Sequence, residues 1–381
     1  MHYCTKCVMP DTRPDLFLDE KGVCNACRSY ESRKSINWDI RKQEFITILE
    51  KYKSKDGSNW DCIVPVSGGK DSTYQVLKIL ELGYNPLCVT ATTCHLSDLG
   101  RKNIENLKSL GVDYVEMTPN PIIRKKLNIF ALTTIGDISW PEHVSIFTVP
   151  IWLSVAKNVP LIIWGENPQN EYGGPATASK NNTLTRKWLE EFGGLLGLRV
   201  TDIVGTEGIT KKDLIPYIYP TDAELKSTGT TGIYLGYYFP WDGYTNLLIA
   251  QSHGLATFDQ VVEGSIVNYE NLDNYQAGIH EYFMYLKYGF GRASSVASLH
   301  IRRGRLSRHD AAIAVKRNEG MFPQSFLAKP LSEILTPLNI SLDEFISICD
   351  RFTNKDIFLT DSSGNLVKDE KGNLTKKIYA E

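Results

Sequence analysis

Trp60-Asp-Cys-Ile-Val-Pro-Val-Ser-Gly-Gly-Lys-Asp-Ser72 is the stretch that decides the fold. Residues 62–66 form a short apolar run of strand-forming residues. Gly68 and Gly69 then permit backbone angles and close approaches that a side chain would block. The polar residues that follow, Asp71 among them, can cap a helix whose apolar positions fall on one face. The stretch therefore predicts a buried strand, a tight loop and a helix start, where unpaired backbone N–H groups bind anions.

The residue order of this loop indicates its class. Its lysine lies between the glycines and an aspartate, so the loop is not the Walker A sequence G-x-x-x-x-G-K-[ST]. The hexapeptide after an apolar strand resembles the PP-loop of the ATP pyrophosphatases, whose members cleave ATP between the α- and β-phosphates. A ligand-free strand–helix turn is the alternative. The resemblance implies that ATP phosphates are held by Ser67, Gly68, Gly69, Lys70, Asp71 and Ser72.

Alternating strand and helix patterns follow this loop. They predict an α/β fold with an open parallel sheet of PP-loop type and right-handed crossovers. Ligands bind such sheets beyond the carboxyl ends of the strands. Three stretches are therefore expected to line one crevice, namely residues 67–72, 90–95 and 165–171.

Several residues of these stretches are candidates for nucleotide binding. Asp71 is a hard oxygen ligand that could hold Mg²⁺ beside the triphosphate, or it could only cap the helix. Thr90 and Ala91 end the second predicted strand, where a backbone edge could read adenine. Gly165 begins the polar cluster after the strand that ends at Trp164.

Catalytic and substrate-binding candidates accompany them. Asp71 is the first catalytic candidate, and Glu166 is a candidate general base or second metal ligand, with a loop cap as the alternative. His143 could handle protons near pH 7, or it could be structural. Asn167 and Arg292 are candidate substrate contacts, since Arg binds diphosphates and carboxylates bidentately.

Four cysteines near the N-terminus follow the spacing C-x2-C-x16-C-x2-C. This spacing predicts a small ribbon holding a structural Zn²⁺, because four thiolates leave no open position for water. An iron–sulfur cluster is the minor alternative. The predicted ligands are Cys4, Cys7, Cys24 and Cys27.

The composition limits the classes of protein to which this chain can belong. The chain has 381 residues, 42% of them hydrophobic and 23% charged, with a formal net charge of −2. This balance argues against a nucleic-acid surface, and we expect a cytoplasmic protein with neither a signal peptide nor a membrane span. The domains we predict are a zinc ribbon (1–32), a linker helix (33–59), a PP-loop ATP-binding domain (60–210), a helical, aromatic-rich substrate region (211–330) and C-terminal helices with a polar tail (331–381).

Three segments beyond the nucleotide-binding part carry further predictions. Residues 210–214 have the pattern of a helix start. The aromatic segment 229–243 is interpreted as a buried loop or a sugar-stacking wall. Residues 296–308 predict a basic helix, which is either a solvated face or a clamp for a diphosphate or carboxylate.

A narrower resemblance rests on several motifs together. They are Cys4-Thr-Lys-Cys-Val-Met-Pro-Asp-Thr-Arg-Pro14, the second C-x2-C pair, the PP-loop, Trp164-Gly-Glu-Asn167 and Lys287-Tyr-Gly-Phe-Gly-Arg292. The combination, from Cys4 to about Gly320, resembles the bacterial N-acetyl sugar amidotransferases, which include the pseudaminic-acid amidotransferase type. These enzymes serve surface-polysaccharide (lipopolysaccharide, O-antigen) and flagellin-sugar synthesis.

The resemblance implies an ATP- and Mg²⁺-dependent ligase. The oxygen of an acetamido group takes AMP, pyrophosphate leaves, and ammonia then displaces AMP to give an acetamidino sugar. The implied partners are a separate glutaminase subunit that supplies ammonia and a sugar or sugar-nucleotide substrate, and a homo-oligomer is left open.

Two other functions are compatible with the loop. A PP-loop tRNA-thiolating enzyme can also carry a zinc ribbon, but it needs a basic RNA surface and cysteines near the crevice. Cys94 is one such cysteine, and a second is not evident. The second alternative is a non-catalytic nucleotide-binding scaffold, in which the intact loop would have no catalytic role.

Overall fold

The computed structural model describes residues 1–166, 171, 183–184 and 197–380, with 183–184 described through their backbone alone. The predicted substrate residue Asn167 lies outside the described residues. Within these ranges, every helix is too short or too polar to traverse a lipid bilayer.

A six-stranded sheet forms the centre of the fold. Five strands are parallel, and the sixth, β5, is a two-residue antiparallel edge strand. The open parallel α/β sheet predicted from the sequence is thereby confirmed. The strands are β1 (Cys62–Pro65), β2 (Pro86–Ala91), β3 (Asp113–Met117), β4 (Leu161–Trp164), β5 (Thr183–Leu184) and β6 (Thr231–Tyr234).

Helices connect the strands and build the C-terminal half. Among the described residues they are α1 (Asn25–Ser32), α2 (Trp38–Tyr52), α3 (Lys70–Glu81), α4 (Asp98–Lys108), α5 (Pro121–Ile135), α6 (Trp140–Lys157), α7 (Asp222–Thr228), α8 (Leu235–Tyr238), α9 (Gly243–Ser252), α10 (Ala277–Tyr288), α11 (Arg292–Arg302), α12 (Arg308–Asn318), α13 (Leu331–Leu335) and α14 (Leu342–Phe352).

Both faces of the sheet are covered, as its continuous apolar strands require. Successive residues of β1 point to opposite faces. Val64 packs with α2 and α3, whereas Ile63 belongs to the cluster that contains Val149 of α6. The first strand is therefore buried on both sides.

The strand order is β3-β2-β1-β4-β6-β5. The chain runs from β1 to β2 and β3 on one side, and then returns to place β4 on the other side of β1. This reversal makes the carboxyl ends of β1 and β4 a topological switch point, where open α/β sheets bind their ligands. The loop that follows β1 lies there.

The C-terminal half has its own helical core. Phe283 of α10 contacts Phe345 of α14, and both are fully buried. The polar tail packs onto this core through Phe358, and it is held by antiparallel bridges such as Thr360–Leu366 and Lys368–Leu374. The polar tail is therefore a series of hairpin-like turns.

The N-terminal ribbon packs on α11 and α12. Val8 lies in a cluster with Ala293 and Ala311, and the ribbon cysteines pack around Phe290. Arg308 donates to the carbonyl oxygens of Cys4 and Cys7. The ribbon is therefore part of the packed structure of the C-terminal half.

The aromatic segment 229–243 was interpreted as a buried loop or a sugar-stacking wall. Tyr234, Tyr238 and Trp241 are buried, whereas Tyr244 of α9 is partly exposed. The segment is not a loop, because it contains β6 and α8, and α9 begins at its end. The loop prediction failed because β6 is short and glycine-containing, and only its pairing with β4 makes it a strand.

Residues 210–214 are also wrongly predicted, because they form a turn and not a helix. Thr210 Oγ1 and Thr210 N both donate to Asp213 Oδ2, which closes the turn locally. A short 3₁₀-helix, Ile215–Tyr217, follows. Side-chain bonds of this kind offer the backbone an alternative to a helix.

The predicted basic helix 296–308 is wrong in its extent, because α11 ends at Arg302 and α12 begins at Arg308. The side chain of Arg303 is 7% exposed and pairs with Glu171 at 2.8 Å and with Asp242 at 3.0 Å. Arg305 pairs with Asp242 at 2.6 Å. Both arginines therefore hold the turn after α11 against Glu171 and against Asp242, the N-cap of α9, and they form neither a solvated helix face nor a clamp for a substrate.

Candidate functional site

The loop after β1 has the geometry of a phosphate cradle. Gly68 has a φ of +81°, and a Cβ there would lie 2.9 Å from the backbone nitrogen of Ile104. The next helix, α3, starts at Lys70, and its N-cap Gly69 makes no side-chain capping bond. The predicted capping of this helix by Asp71 is therefore wrong. The uncapped first-turn N–H groups suit phosphate oxygens.

Ser67 and Ser72 form hydrogen bonds within the loop. Ser67 N donates to Ser72 Oγ at 3.4 Å, and Ser72 Oγ donates to the carbonyl oxygen of Gly69 at 3.1 Å. The Ser67 hydroxyl in turn accepts from Gly69 N at 3.4 Å. These bonds hold the two hydroxyls beside the loop backbone, so that they can turn toward an anion.

Asp71 is held at the start of α3 by two neighbours. Lys70 Nζ lies 2.7 Å from Asp71 Oδ2, and Asn246 Nδ2 donates to Asp71 Oδ1 at 2.8 Å. Lys70 Nζ also lies 2.7 Å from Glu270 Oε1. Burial disfavours the charged ammonium, but Asp71 and Glu270 outweigh it and raise the pKa of Lys70 well above its ordinary value. The lysine is thus a fixed cation beside the loop.

A crevice of about 470 Å³ opens at the switch point. The three stretches predicted to converge do so, since residues from each line its wall. Those residues are Ser67, Asp71 and Ser72 after β1, Thr90, Ala91, Thr92 and Thr93 at the end of β2, and Gly165 and Glu166 after β4. A smaller cavity of about 160 Å³ adjoins it around the loop itself, where it is lined by Ser67, Gly68, Gly69, Lys70, Asp71 and Ser72.

Thr90 and Ala91 occupy the strand end that was predicted to read adenine. The Thr90 hydroxyl donates to the carbonyl oxygen of Val66, so it is already used inside the protein. Contact with a base would therefore fall to the backbone of this strand end. The nearby indole Nε1 of Trp164 is buried and, among the described residues, has no hydrogen-bond partner.

Glu166 faces the crevice from the opposite strand end. Burial, reinforced by the negative charge of Asp71, raises the pKa of Glu166 to about 7. Two carboxylates that repel each other beside a phosphate cradle are suited to a divalent cation, which would offset both charges. Asp71 and Glu166 therefore fit a Mg²⁺ ion that accompanies a nucleotide.

A histidine pair lines the part of the crevice between α6 and α10. The rings of His143 and His280 lie 4.9 Å apart, centroid to centroid. His280 Nδ1 lies 2.7 Å from Asp137 Oδ1, whereas His143 Nδ1 is 3.7 Å from Asp137 Oδ2. Burial opposes protonation of His280, but Asp137 outweighs it and raises the pKa of His280. His280, which the sequence did not single out, is therefore the better-placed proton carrier.

Arg292 lines the same crevice at the start of α11. Its Nε donates to Glu281 Oε1 at 2.9 Å, and its Nη1 lies 3.8 Å from Glu270 Oε2. The guanidinium is thus anchored by α10 while it faces the cavity. This placement is compatible with the predicted contact to an anionic substrate group.

The four ribbon cysteines converge as predicted. Their sulfur atoms all lie within 4.8 Å of one another, with 4.0 Å between Cys4 and Cys27 and 3.8 Å between Cys7 and Cys24. A tetrahedral ion with Zn–S bonds of about 2.3 Å separates its sulfurs by about 3.8 Å. The cluster therefore fits a four-coordinate zinc.

The remaining cysteines are not arranged for catalysis. Cys62, Cys88 and Cys349 are buried, and burial raises the pKa of the half-buried Cys94. A reactive thiol needs a lowered pKa. All eight cysteines fall in the described part of the chain, and none of them lines the crevice.

Sequence reasoning missed much of the second wall of the crevice. That wall comes from the predicted substrate region (211–330), in which Arg292 was the one residue named as a substrate contact. Its residues follow no predicted strand, so no local pattern marks them. They are Asn271, Asp273, Asn274, Ala277, His280 and Glu281.

The part of the chain that forms this second wall is similar to a known family. Residues 263–370 match the family model described as LPS biosynthesis protein WbpG-like, C-terminal domain. These residues are called the WbpG-like part below, after this similarity. A comparison with curated proteins finds no match.

Solved structures give weaker similarities. One is the NMN synthetase from Francisella tularensis, with 12% identity, 51% of this chain and 92% of that chain covered, and a TM-score of 0.28. Another is described as the predicted subunit of tRNA methyltransferase from Methanocaldococcus jannaschii DSM, with 16% identity, 61% and 91% coverage, and a TM-score of 0.26.

The WbpG-like part closes directly over the sheet. Ser97 N donates to the carbonyl oxygen of Asp273 at 2.9 Å, and Leu96 forms a β-bridge with Asn274. A Cβ at Gly100 would lie 2.6 Å from the Cα of Asp273, so this approach requires glycine. The crevice thus has one wall from the carboxyl ends of the sheet strands and a second wall from the WbpG-like part.

Proposed function

We propose that the protein is an ATP-dependent N-acetyl sugar amidotransferase of bacterial surface-polysaccharide synthesis. One observation carries the proposal: an uncapped phosphate cradle at the switch point of a parallel sheet shares one crevice with a WbpG-like wall. A phosphoryl donor and a second substrate can therefore meet in this crevice.

In the proposed reaction, the acetamido oxygen of the sugar attacks the α-phosphorus of ATP, and the bond to pyrophosphate breaks. Ammonia then attacks the imidate carbon, the bond to the AMP oxygen breaks, and an acetamidino sugar remains. In sum, one oxygen of the sugar leaves with AMP and one nitrogen replaces it.

The chain contributes positioning and charge. The backbone of the loop at 67–72 holds the pyrophosphate, and Lys70 adds a fixed positive charge beside it. Asp71 and Glu166 would hold Mg²⁺, which would offset the negative charge of the phosphate groups. Arg292 binds an anionic group of the substrate, and His280, backed by Asp137, takes the proton that the nitrogen donor gives up.

Ammonia comes, in this proposal, from a separate glutaminase subunit. A glutaminase needs an activated cysteine or another activated nucleophile. Four cysteines of this chain belong to the ribbon cluster, three others are buried, and Cys94 has a raised pKa. The reaction uses cytoplasmic ATP, and the ribbon zinc is structural.

The placement of the cysteines disfavours the tRNA-thiolating alternative. That chemistry needs thiolates near the activated base, and no cysteine lines the crevice. The net charge of −2 also gives no basic RNA-binding excess. Sugar amidation requires neither feature.

Product analysis by mass spectrometry tests the function. The purified protein receives ATP, Mg²⁺, ammonium and a panel of N-acetylated and di-N-acetylated sugars and sugar nucleotides, with AMP and pyrophosphate measured in parallel. We expect a product in which one oxygen has become NH, formed in step with AMP. AMP release driven by unmodified tRNA and a sulfur donor, with every sugar inert, would instead establish thiolation.

The raised pKa of Glu166 predicts a pH dependence. As a base or metal ligand Glu166 must be ionised, so kcat/KM should rise as the pH rises through about 7. Glu166→Gln should lower kcat/KM and remove this limb of the profile, measured through AMP release between pH 5.5 and 8.5. An unchanged limb in the variant would assign the titration to another group.

The same shift has a consequence for stability. A carboxyl whose pKa rises from 4.5 to about 7 on folding favours the fold only while it is protonated, and that contribution is lost as the pH rises through 7. Glu166→Gln should therefore unfold at a higher temperature than the wild type at pH 8. The difference should shrink as the pH falls from 7 toward 4.5.

A further inference from the structure

A second cavity, of about 180 Å³, adjoins the crevice within the WbpG-like part. Glu281 and Arg292 line both cavities, so their ion pair stands in the shared wall. The second cavity reaches the surface at Met321, which is 48% exposed. The second cavity therefore connects solvent with the Glu281–Arg292 pair in the wall of the crevice.

The lining of this cavity is acidic and aromatic. Its described residues include a single cation, Arg292, which is already paired with a carboxylate. Carboxylates and aromatic faces together attract small cations and repel phosphates. The acidic and aromatic residues are Glu263, Glu281, Glu319, Tyr282, Tyr285, Phe322 and Phe326.

Two of the three carboxylates have structural tasks. Glu263 accepts from the Ser325 hydroxyl and from the backbone nitrogen of Leu327. Glu319 accepts from Ser294 and from the backbone nitrogen of Gly291. Both oxygens of each carboxylate are thereby used to hold chain segments.

Glu281 differs, because all its described hydrogen bonds converge on one oxygen. Oε1 accepts from Arg292 and, at 3.0 Å, from Asn271 Nδ2. Oε2 has almost no accessible surface and no partner among the described residues, and Glu281 as a whole is only 7% exposed. Because Glu281 lines both cavities, a ligand in either one reaches Oε2 when this side chain turns. A buried carboxylate oxygen without a donor is costly, which indicates a missing ligand.

Glu281 is ionised at neutral pH. Burial disfavours its charge, but the neighbouring Arg292 outweighs burial and holds the pKa of Glu281 below its ordinary value. The missing ligand of Oε2 is therefore a donor and, given the surrounding acidic wall, a cation.

We propose that the second cavity is the intake site for the nitrogen donor, and that Glu281 Oε2 binds it there as ammonium. Ammonium offers only N–H donors, carries one positive charge and is small enough for a cavity of about 180 Å³. This inference rests on the proposed amidotransferase function, because that reaction consumes ammonia. Nitrogen then reaches the crevice at the Glu281–Arg292 pair, which lines both cavities.

Thallium(I) serves as a heavy-atom stand-in for ammonium in a direct test. Crystals of the full chain soaked in thallium acetate should show an anomalous peak beside Glu281 Oε2. Ammonium should displace the peak, whereas sodium at the same concentration should leave it in place. The peak should be lost in Glu281→Gln. Absence of a peak, or equal displacement by sodium, would overturn the assignment.

Kinetics provide the second test, with the acceptor sugar identified by product analysis. Loss of a hydrogen bond to a charged group corresponds to about a 10–100-fold weaker ligand. Glu281→Gln should therefore raise the KM for ammonium by that factor and leave the KM for ATP unchanged. Glu270→Gln is the matched control, because Glu270 contacts Arg292 and Lys70 but does not line the second cavity. It should raise the KM for ATP and leave the KM for ammonium within about twofold.

The two proposals fail in distinguishable ways. Thallium binding requires neither ATP nor an acceptor, so a displaceable peak supports the ammonium site even where no sugar in the panel reacts. Ammonium-dependent product formation by a protein without the peak, and with an unaltered ammonium KM in Glu281→Gln, overturns the cavity assignment. In that case the amidotransferase function stands.

Discussion

Asp71→Ala should abolish AMP formation while the fold and the zinc content stay intact. The carboxylate lies at the start of α3 beside the phosphate cradle, where it would hold Mg²⁺. Loss of a carboxylate that holds the metal ion in a phosphoryl transfer removes several kcal/mol of transition-state stabilisation. The rate should therefore fall by about 10³-fold or more. AMP release measured by chromatography, with acceptor and ammonium saturating, gives the rate.

The fold should tolerate this change. Lys70 keeps Glu270 as an ion-pair partner, and only Asn246 loses its acceptor. Asp98→Ala is the matched control, since Asp98 is an exposed acid in the first turn of the neighbouring helix α4. It should turn over at the wild-type rate. Normal AMP production by Asp71→Ala would refute the location of the active site.

Cys24→Ser should release the bound zinc and lower the melting temperature by about 10 °C or more. The four sulfurs lie inside the core around Phe290, and Cys24 Sγ also accepts from the backbone nitrogen of Cys27 at the start of α1. Structural zinc contributes folding free energy directly. A loss of about 5 kcal/mol in the free energy of unfolding lowers the melting temperature by about 10 °C or more in a domain of this size.

The effect should spread into the C-terminal half. Arg308 of α12 donates to the carbonyl oxygens of Cys4 and Cys7, so a disordered ribbon deprives α12 of its acceptors. Zinc content by elemental analysis and unfolding by calorimetry provide the measurements, and a chelator added to the wild type should reproduce the variant. Cys94→Ala, outside the cluster, should keep its zinc and its melting temperature. Iron with visible absorption in the wild type would instead establish an iron–sulfur cluster.

The sequence alone determined the local parts of this protein. The strand–loop–helix around Gly68 could be predicted because backbone freedom, apolar periodicity and a helix start are all encoded within a few residues. The convergence of three strand ends also followed, since a parallel sheet brings all its carboxyl ends to one edge. The cysteine cluster followed from spacing, because two C-x2-C pairs offer four ligands to one tetrahedral ion.

Features that depend on contacts between residues distant in sequence could be known only from the tertiary structure. β6 exists because it pairs with β4, and Arg303 and Arg305 are structural because they pair with acidic residues distant in sequence. The wall with His280 and Glu281 likewise depends on residues 271–281 folding back over α4. A periodic pattern of apolar residues indicates which face of a helix or strand is buried. A buried ion pair or a shared cavity wall depends on which segment arrives opposite, and that is a property of the whole fold.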